Sequence, residues 1–214
     1  MSNMPDYRYP AGRILVFAKA PLAGQVKTRL ASGIGDQAAA TLYAQLVRDT
    51  VSTAIQEELA PVTVYADSLH PLFVELREKR GVGLKIQEGA DLGLRMYQAI
   101  QAELQQADFV VLIGTDCPVM TGDYLAQACR ELDAGTEFVL GPAEDGGYVL
   151  IGARSAEKEL FTGMRWGTSQ VMPHTRERLR LMNRRHAELD TLWDLDTPED
   201  LERWQTESRS AVTS

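Results

Sequence analysis

The stretch Lys19-Ala-Pro-Leu-Ala-Gly24-Gln-Val-Lys27-Thr28-Arg29-Leu30 gathers three cations around a Pro/Gly turn in a chain that is otherwise acidic. An arginine grips phosphate oxygens through parallel N–H bonds and a lysine holds them as a point charge. Gly24 would let the backbone approach such a ligand closely. These are the parts of a site for nucleotide phosphates, with Lys19, Gly24, Lys27 and Arg29 as its candidates. The same cations would equally suit a solvated loop that balances nearby acids. The spacing is neither that of a P-loop nor that of G-x-G-x-x-G.

Carboxylates recur in three later segments. Gly114-Thr115-Asp116-Cys117-Pro118 follows the most apolar short run of the chain. A carboxylate held at the end of a buried strand suits Mg²⁺, which takes oxygen ligands and bridges to phosphates; an Asp in a turn is also served by its own hydrogen bonds. Glu144-Asp145-Gly146-Gly147-Tyr148 supplies a second carboxylate, Asp145, in what is also a hairpin signal. Asp194 and Asp196 precede Thr197-Pro198-Glu199-Asp200, an N-cap followed by a first-turn proline and acids, and either could reach a metal or its waters. Two carboxylates meeting a cation would offset charge in phosphoryl or glycosyl transfer. The candidate ligands for Mg²⁺ (or Mn²⁺) are therefore Asp116 and Asp145, with Asp194 and Asp196 behind them.

Two further segments complete the set. In Glu88-Gly-Ala-Asp91-Leu-Gly93-Leu-Arg95, Asp91 and Gly93 open a helix whose amides could admit a base or a phosphate, or simply form a capped glycine loop. Trp166-Gly167-Thr168 sets polar groups beside a large aromatic. With Gly146 and Gly147 it is the candidate acceptor pocket, although a Trp beside a helix start also serves packing. His70, His174 and His186 share no ligand spacing, and no Gly-x-Ser-x-Gly elbow is present.

The elements that must hold these loops follow from periodicity. Strand-type apolar runs fall at residues 13–18, 62–66, 84–87, 109–113, 137–140, 148–151 and 189–193. Helical spacing covers 37–59, 72–80, 92–105, 123–132, 169–180 and a stretch from 198. The run at 109–113 is continuously apolar, as in a strand buried on both faces. Alternating strands and helices predict an α/β fold with a mainly parallel sheet and helices on both faces, whose ligands lie beyond the carboxyl ends of the strands. We expect one domain over 13–205, an N-terminal extension over 1–12 and a frayed polar tail over 206–214.

With 214 residues, 44 % of them hydrophobic, and a formal charge of -8, the chain can bury a core and is a poor general partner for nucleic acid or anionic membrane. It has no apolar run of membrane-spanning length and no secretory signal, so a cytoplasmic location is expected. Its two cysteines are expected to be reduced thiols.

Together, residues 17–21, Gly24, 26–30, 114–118, 144–148, 166–168 and 194–200 resemble a bacterial domain-of-unknown-function family. That family lies within the glycosyltransferase-A-like, nucleotide-diphospho-sugar transferase superfamily, and the match spans 13 to about 204. Its members are often labelled glycosyltransferases associated with radical-SAM or selenium-related proteins. The resemblance implies a Rossmann-like GT-A sheet with one antiparallel strand, a nucleotide in the first half and an acceptor in the second. In related guanylyltransferases a lone Asp before x-Pro, as at Asp116, helps hold Mg²⁺; many sugar transferases have Asp-x-Asp there, where this chain has Thr115-Asp116-Cys117. The implied activity is nucleotidyl transfer from a nucleoside triphosphate to a small (phosphorylated) acceptor, with Lys27, Arg29, Asp116 and Asp145 carrying the chemistry. Glycosyl transfer from a nucleotide-sugar, or nucleotide binding without turnover, are the alternatives.

Overall fold

The computed structural model describes residues 6–212, with side chains through 209. Its centre is a seven-stranded sheet formed by β1 (Gly12–Ala18), β2 (Val62–Ala66), β3 (Gly83–Ile86), β4 (Phe109–Ile113), β5 (Phe138–Pro142), β6 (Tyr148–Ala153) and β7 (His186–Glu188). The spatial order is β3-β2-β1-β4-β6-β5-β7. β6 runs antiparallel to both β4 and β5, and every other pairing is parallel.

Alternation along the central strands divides the core between two faces. Ile14, Val16, Val111 and Ile113 face one side, where α2 (Asp36–Gln56), α3 (Pro71–Arg80) and α5 (Gly122–Asp133) cover them. Leu15, Phe17, Val110 and Leu112 face the other, under α4 (Leu92–Glu103) and α6 (Val171–Leu181). All five residues of β4 are buried, which explains the unbroken apolar run. Truncating one such side chain, as in Ile113→Ala, should cost about 2–5 kcal/mol. α1 (Thr28–Ile34) and α7 (Pro198–Val212) meet around a smaller cluster of Leu30, Trp193 and Leu195.

Starting from β1, the chain builds outward through β2 to β3, then returns to place β4 on the other side of β1. This reversal opens a crevice beyond the carboxyl ends of β1 and β4, the usual ligand position in open α/β sheets. The loops after β1, β4, β5 and β7 converge there.

Several boundaries differ from the sequence reading. Residues 28–34 form α1 rather than loop, because Leu30 and Ala31 are buried while Gly33 and Gly35 mask the helical pattern. The last strand is His186–Glu188, not 189–193; it is a polar edge strand on β5. Leu189 and Trp193 are buried from the segment that follows it. α7 continues through Val212, beyond the expected end of order near Gln205. The Arg203–Glu207 pair one turn apart supports that extension. Arg8 and Tyr9 donate backbone hydrogen bonds to the carbonyls of Glu58 and Leu59, so this part of the N-terminal segment is tied to the domain; residues 1–5 and 213–214 lie outside the described residues.

Candidate active site

The crevice is a cleft of about 770 Å³. Lys19, Lys27, Arg29, Asp91, Asp116, Asp145, Gly147, Trp166, Gly167, Thr168, Asp194 and Asp196 all line it, so residues far apart in sequence share one surface.

Lys27 is its organising charge. Its side chain is only 3 % exposed, and the backbone is left-handed, with φ of 50°, as it caps α1. The ammonium donates to the Leu195 carbonyl at 2.7 Å and to Asp196 Oδ1 at 2.8 Å, and it pairs with Asp116. Burial alone would lower its pKa, but the Asp116 and Asp196 carboxylates outweigh that, so the pKa is raised and the cation is held. An ammonium has three donors, and three partners take them. A phosphate would have to displace one of these partners to reach Lys27. Arg29, by contrast, is exposed and gives one nitrogen to Asp196 Oδ2 at 2.5 Å, which leaves other guanidinium donors toward the cleft.

The loops are tied to each other. Tyr43, which helical spacing marks as a core position, accepts from the Lys19 amide and shares a 2.9 Å hydrogen bond with the buried Thr115 hydroxyl. Asp67 accepts from the Ala20 amide at 2.7 Å. Leu195 N–H donates to the Asp116 carbonyl at 2.8 Å. Asp200 accepts from the amides of Asp196 and Thr197 and from the Thr197 hydroxyl, which fixes the turn that carries the Asp194–Asp196 pair. The Thr197 cap read from the sequence thus also serves the site.

Asp194 differs from its neighbours. Burial, followed by the charges of Asp116, Asp145 and Asp196, pushes its pKa up to about 7, and Lys27 offsets only part of that. This concentration of oxygen donors with too little positive charge suits a hard divalent cation. Among the described residues no three side chains form a closed metal cage, but Mg²⁺ commonly uses only one or two carboxylates together with water and substrate phosphates. Asp145 keeps one oxygen on the Gly147 amide at 2.8 Å and has the other available.

Three glycines on the candidate list do not line the cleft. Gly24 sits in a turn beside Asp36. A Cβ at Gly93 would fall 2.3 Å from the Phe161 carbonyl and 2.8 Å from Trp166 Nε1, so this glycine lets α4 approach the Trp166 segment. Gly146 has φ of +87°, and a Cβ there would fall 2.5 Å from the Ser169 carbonyl. Asp91 reaches the cleft but caps α4, accepting from the Leu94 amide at 2.8 Å.

The structure also adds residues to the list. Arg95 lines the cleft and donates to the Gly89 carbonyl at 3.1 Å; it lies within the segment the sequence singled out. Gln87 lines the cleft and spends its amide nitrogen on the carbonyls of Ala18 and Tyr65. Tyr148 stands edge-on to Trp166, with ring centroids 6.1 Å apart. Cys117 and Cys129 are free and buried, and burial pushes each thiol up to about 12, so neither is a nucleophile.

Residues 50–168 match the family model described as "Uncharacterized protein conserved in bacteria (DUF2064)". The chain is similar to the structure of a "putative nucleotide-diphospho-sugar transferase" from Desulfovibrio desulfuricans G20, with 34 % identity and a TM-score of 0.79, covering 90 % of this chain and 85 % of that one. It also resembles 4-diphosphocytidyl-2C-methyl-D-erythritol synthase from Anaerococcus prevotii DSM 20548, with 13 % identity, a TM-score of 0.59 and coverage of 94 % and 99 %. Glucosyl-3-phosphoglycerate synthase from Mycobacterium tuberculosis, in complex with Mn²⁺, uridine diphosphate and glucosyl-3-phosphoglycerate, aligns with 12 % identity, a TM-score of 0.52 and coverage of 95 % and 77 %. At such identities the last two show the fold alone. No sequence match was found among curated proteins. Among the described residues no helix is long and apolar enough to cross a membrane.

Proposed function

This chain belongs to the bacterial DUF2064 family, and from that and the charges of its cleft we infer that it is a metal-assisted transferase moving a nucleotidyl group from a nucleoside triphosphate to a small acceptor. One observation carries the reading: Lys19, Arg29 and Arg95 share one cleft at the switch point of the sheet with the carboxylates of Asp116, Asp145 and Asp194. A polyphosphate would satisfy the first set, and the second set would hold a divalent cation that offsets its charge.

In this reading Arg29, Lys19 and Arg95 hold phosphate oxygens. Lys27 keeps Asp116 and Asp196 in place. Asp116 and Asp145, with Asp194 beside them, are the residues that would hold Mg²⁺ or Mn²⁺, which when bound supplies positive charge against the α-phosphate and the departing pyrophosphate. An acceptor oxygen forms a bond to the α-phosphorus as the bond from that phosphorus to the bridging oxygen breaks. The electron pair leaves on pyrophosphate, the acceptor proton passes to solvent, and no covalent enzyme intermediate is needed.

Nucleotidyl transfer is favoured over sugar transfer by the surroundings of Asp116. The flanking positions hold Thr115, buried and spent on Tyr43, and Cys117, also buried, so no second carboxylate stands where an Asp-x-Asp pair would put one. Glycosyl transfer from a nucleotide-sugar is the second reading, favoured by the description of the 34 % identical relative. Binding without turnover would need no group of carboxylates opposite the phosphate cations. We place the activity in the cytoplasm, where nucleoside triphosphates are available; the radical-SAM or selenium association implied by the family resemblance has no residue of its own in this site.

A thermal-shift screen of nucleoside triphosphates and nucleotide-sugars, with Mg²⁺ and with chelator, followed by product analysis of the best ligand, tests the reading. Arg29→Ala should weaken nucleotide binding about tenfold, the value of a charged hydrogen bond. Asp116→Asn should keep the fold and abolish the enhancement by Mg²⁺. Unchanged affinity in the first variant and an intact enhancement in the second would overturn the assignment.

A further inference from the structure

Two side chains of α7, one turn apart, reach back to the carboxylate loops from outside the cleft. Asp200 accepts from the amides of Asp196 and Thr197 and so holds the turn that follows Asp194. Arg203 reaches the other loop. Its two terminal nitrogens donate to the two oxygens of Glu144 at 2.8 and 3.1 Å, and its Nε donates to Glu207 at 3.0 Å. Its guanidinium also lies 4.3 Å from the ring centroid of Trp193, within the range of a cation–π contact. Glu144 directly precedes Asp145, and Trp193 directly precedes Asp194. One guanidinium therefore touches the chain neighbours of two carboxylates assigned above to Mg²⁺ or Mn²⁺. Arg203, Glu144 and Trp193 do not themselves line the cleft.

The two carboxylates need holding. Burial first, and then the charges of Asp116 and Asp145, disfavour an ionised Asp194, so the loops repel one another before any cation is bound. Among the described residues the backbone ties between the two segments end at the Glu144 amide, which donates to the Leu192 carbonyl at 2.9 Å. Past that point residues 143–147 form one hydrogen-bonded turn, closed from the Gly146 amide to the Ala143 carbonyl and from the Gly147 amide to Asp145 Oδ1. α6 anchors one end of this turn through the Met172 amide on the Gly146 carbonyl. Arg203 anchors the other. Trp193, its platform, is buried beside Leu30 and Leu195.

We propose that Arg203 is a positioning residue for the cation: by gripping Glu144 and lying on Trp193 it fixes the turn of Asp145 against the segment of Asp194, so that both carboxylates can meet one ion. The proposal rests on the metal-assisted reading above. As a stabilising contact the pair is worth little, because the side chains of Arg203 and Glu144 are 40 % and 52 % exposed. Its contribution is orientation, since two parallel bonds fix direction as well as distance, which a lysine cannot do. Charge and positioning also predict opposite signs. A nearby guanidinium repels a divalent cation, so on charge alone its removal would tighten metal binding.

The test titrates Mn²⁺ into the full chain, alone and with the best nucleotide of the screen, and reads free Mn²⁺ by electron paramagnetic resonance. Arg203→Ala should weaken Mn²⁺ binding about tenfold, the lower end of the range for residues that orient metal ligands. The nucleotide Kd in chelator and the urea midpoint should stay close to wild type, because Arg203 is exposed and outside the cleft. Arg203→Lys keeps the charge but gives up the paired bonds, and it should lose nearly as much. Unchanged or tighter Mn²⁺ binding in Arg203→Ala overturns the proposal. Full retention in Arg203→Lys does so too, since a point charge would then suffice. Failure of the wild-type chain to take up Mn²⁺ under either condition strikes instead the metal-assisted reading on which the proposal stands, so the two failures are separate.

Discussion

The cationic part of the cleft comes from the segment after β1, which carries Lys19 and Arg29, and from the first turn of α4, which carries Arg95; the acidic part comes from the loops after β4, β5 and β7, which carry Asp116, Asp145, Asp194 and Asp196. Lys27 joins them, leaving the first side to sit among the acids of the second. Both sides use polar residues near the ends of elements, yet their energetics differ. The cationic side is largely exposed and keeps donors in reserve. The acidic side is partly buried and crowded, and Asp194 registers the crowding in its raised pKa. Asp196, two residues away, is instead satisfied by Lys27 and Arg29. In an extended segment neighbours two apart differ only through what surrounds them, so the contrast belongs to the packing and not to the residue type. One side is thus built to receive negative charge, and the other lacks a positive charge.

The largest expected effect tests the residue that joins the two sides. Lys27→Met keeps the length of the side chain and removes its charge, leaving Asp116, Asp196 and the Leu195 carbonyl without their shared donor. Removing one partner of a buried ion pair costs about 3–5 kcal/mol, here toward the lower end because the carboxylates are partly exposed. Urea denaturation should show this loss, and added Mg²⁺ should restore part of it in the variant. A variant as stable as wild type would mean that the acids do not need Lys27.

Close to it in size is the titration of Asp194. Its folded pKa, about 7, lies above the 3.8 of an ordinary Asp, so the folded state favours the protonated form. That contribution is complete below about pH 4 and is lost as pH rises through 7. In chelator, Asp194 should therefore take away on the order of 4 kcal/mol of stability between pH 4 and pH 8, and Asp194→Asn should flatten the profile over that window. Mg²⁺ should bind more tightly as pH passes 7. A variant profile identical to wild type would remove Asp194 from the crowded set.

Much of this arrangement was legible in the sequence because each loop is announced by its own residues. The apolar run before Asp116, the Asp-Gly-Gly turn and the Thr-Pro-Glu-Asp start of α7 have local causes, and all fall where expected. What could not be read was pairing. Lys27 meets Asp196 across 169 positions of sequence, and no local signal distinguishes a lysine bound for a carboxylate from one free for phosphate. The glycines misled for a similar reason. Gly93 and Gly146 make room for protein backbone, and a glycine that admits a chain looks the same in sequence as one that admits a ligand. α1 was hidden by Gly33 and Gly35, and β7 by its polarity, since an edge strand in a short parallel pairing needs little apolar surface.

The smallest expected effect is the most selective between the two sides. Thr168 is exposed, so Thr168→Val gives up its internal bond to the Arg165 carbonyl at little cost to the fold, since surface substitutions fall mostly within about 0.5 kcal/mol. It also removes an oxygen lone pair from the acceptor wall. One neutral hydrogen bond corresponds to roughly 0.5–1.5 kcal/mol, hence a rise in acceptor KM of about two- to tenfold. The nucleotide Kd should stay constant, because Lys19 and Arg29 stand on the other side, and Thr168→Ser should recover most of the loss by returning the hydroxyl. Steady-state kinetics with the acceptor varied, alongside nucleotide titration, separates the two quantities. A loss that fell on the nucleotide and spared the acceptor would exchange the roles assigned to the two sides.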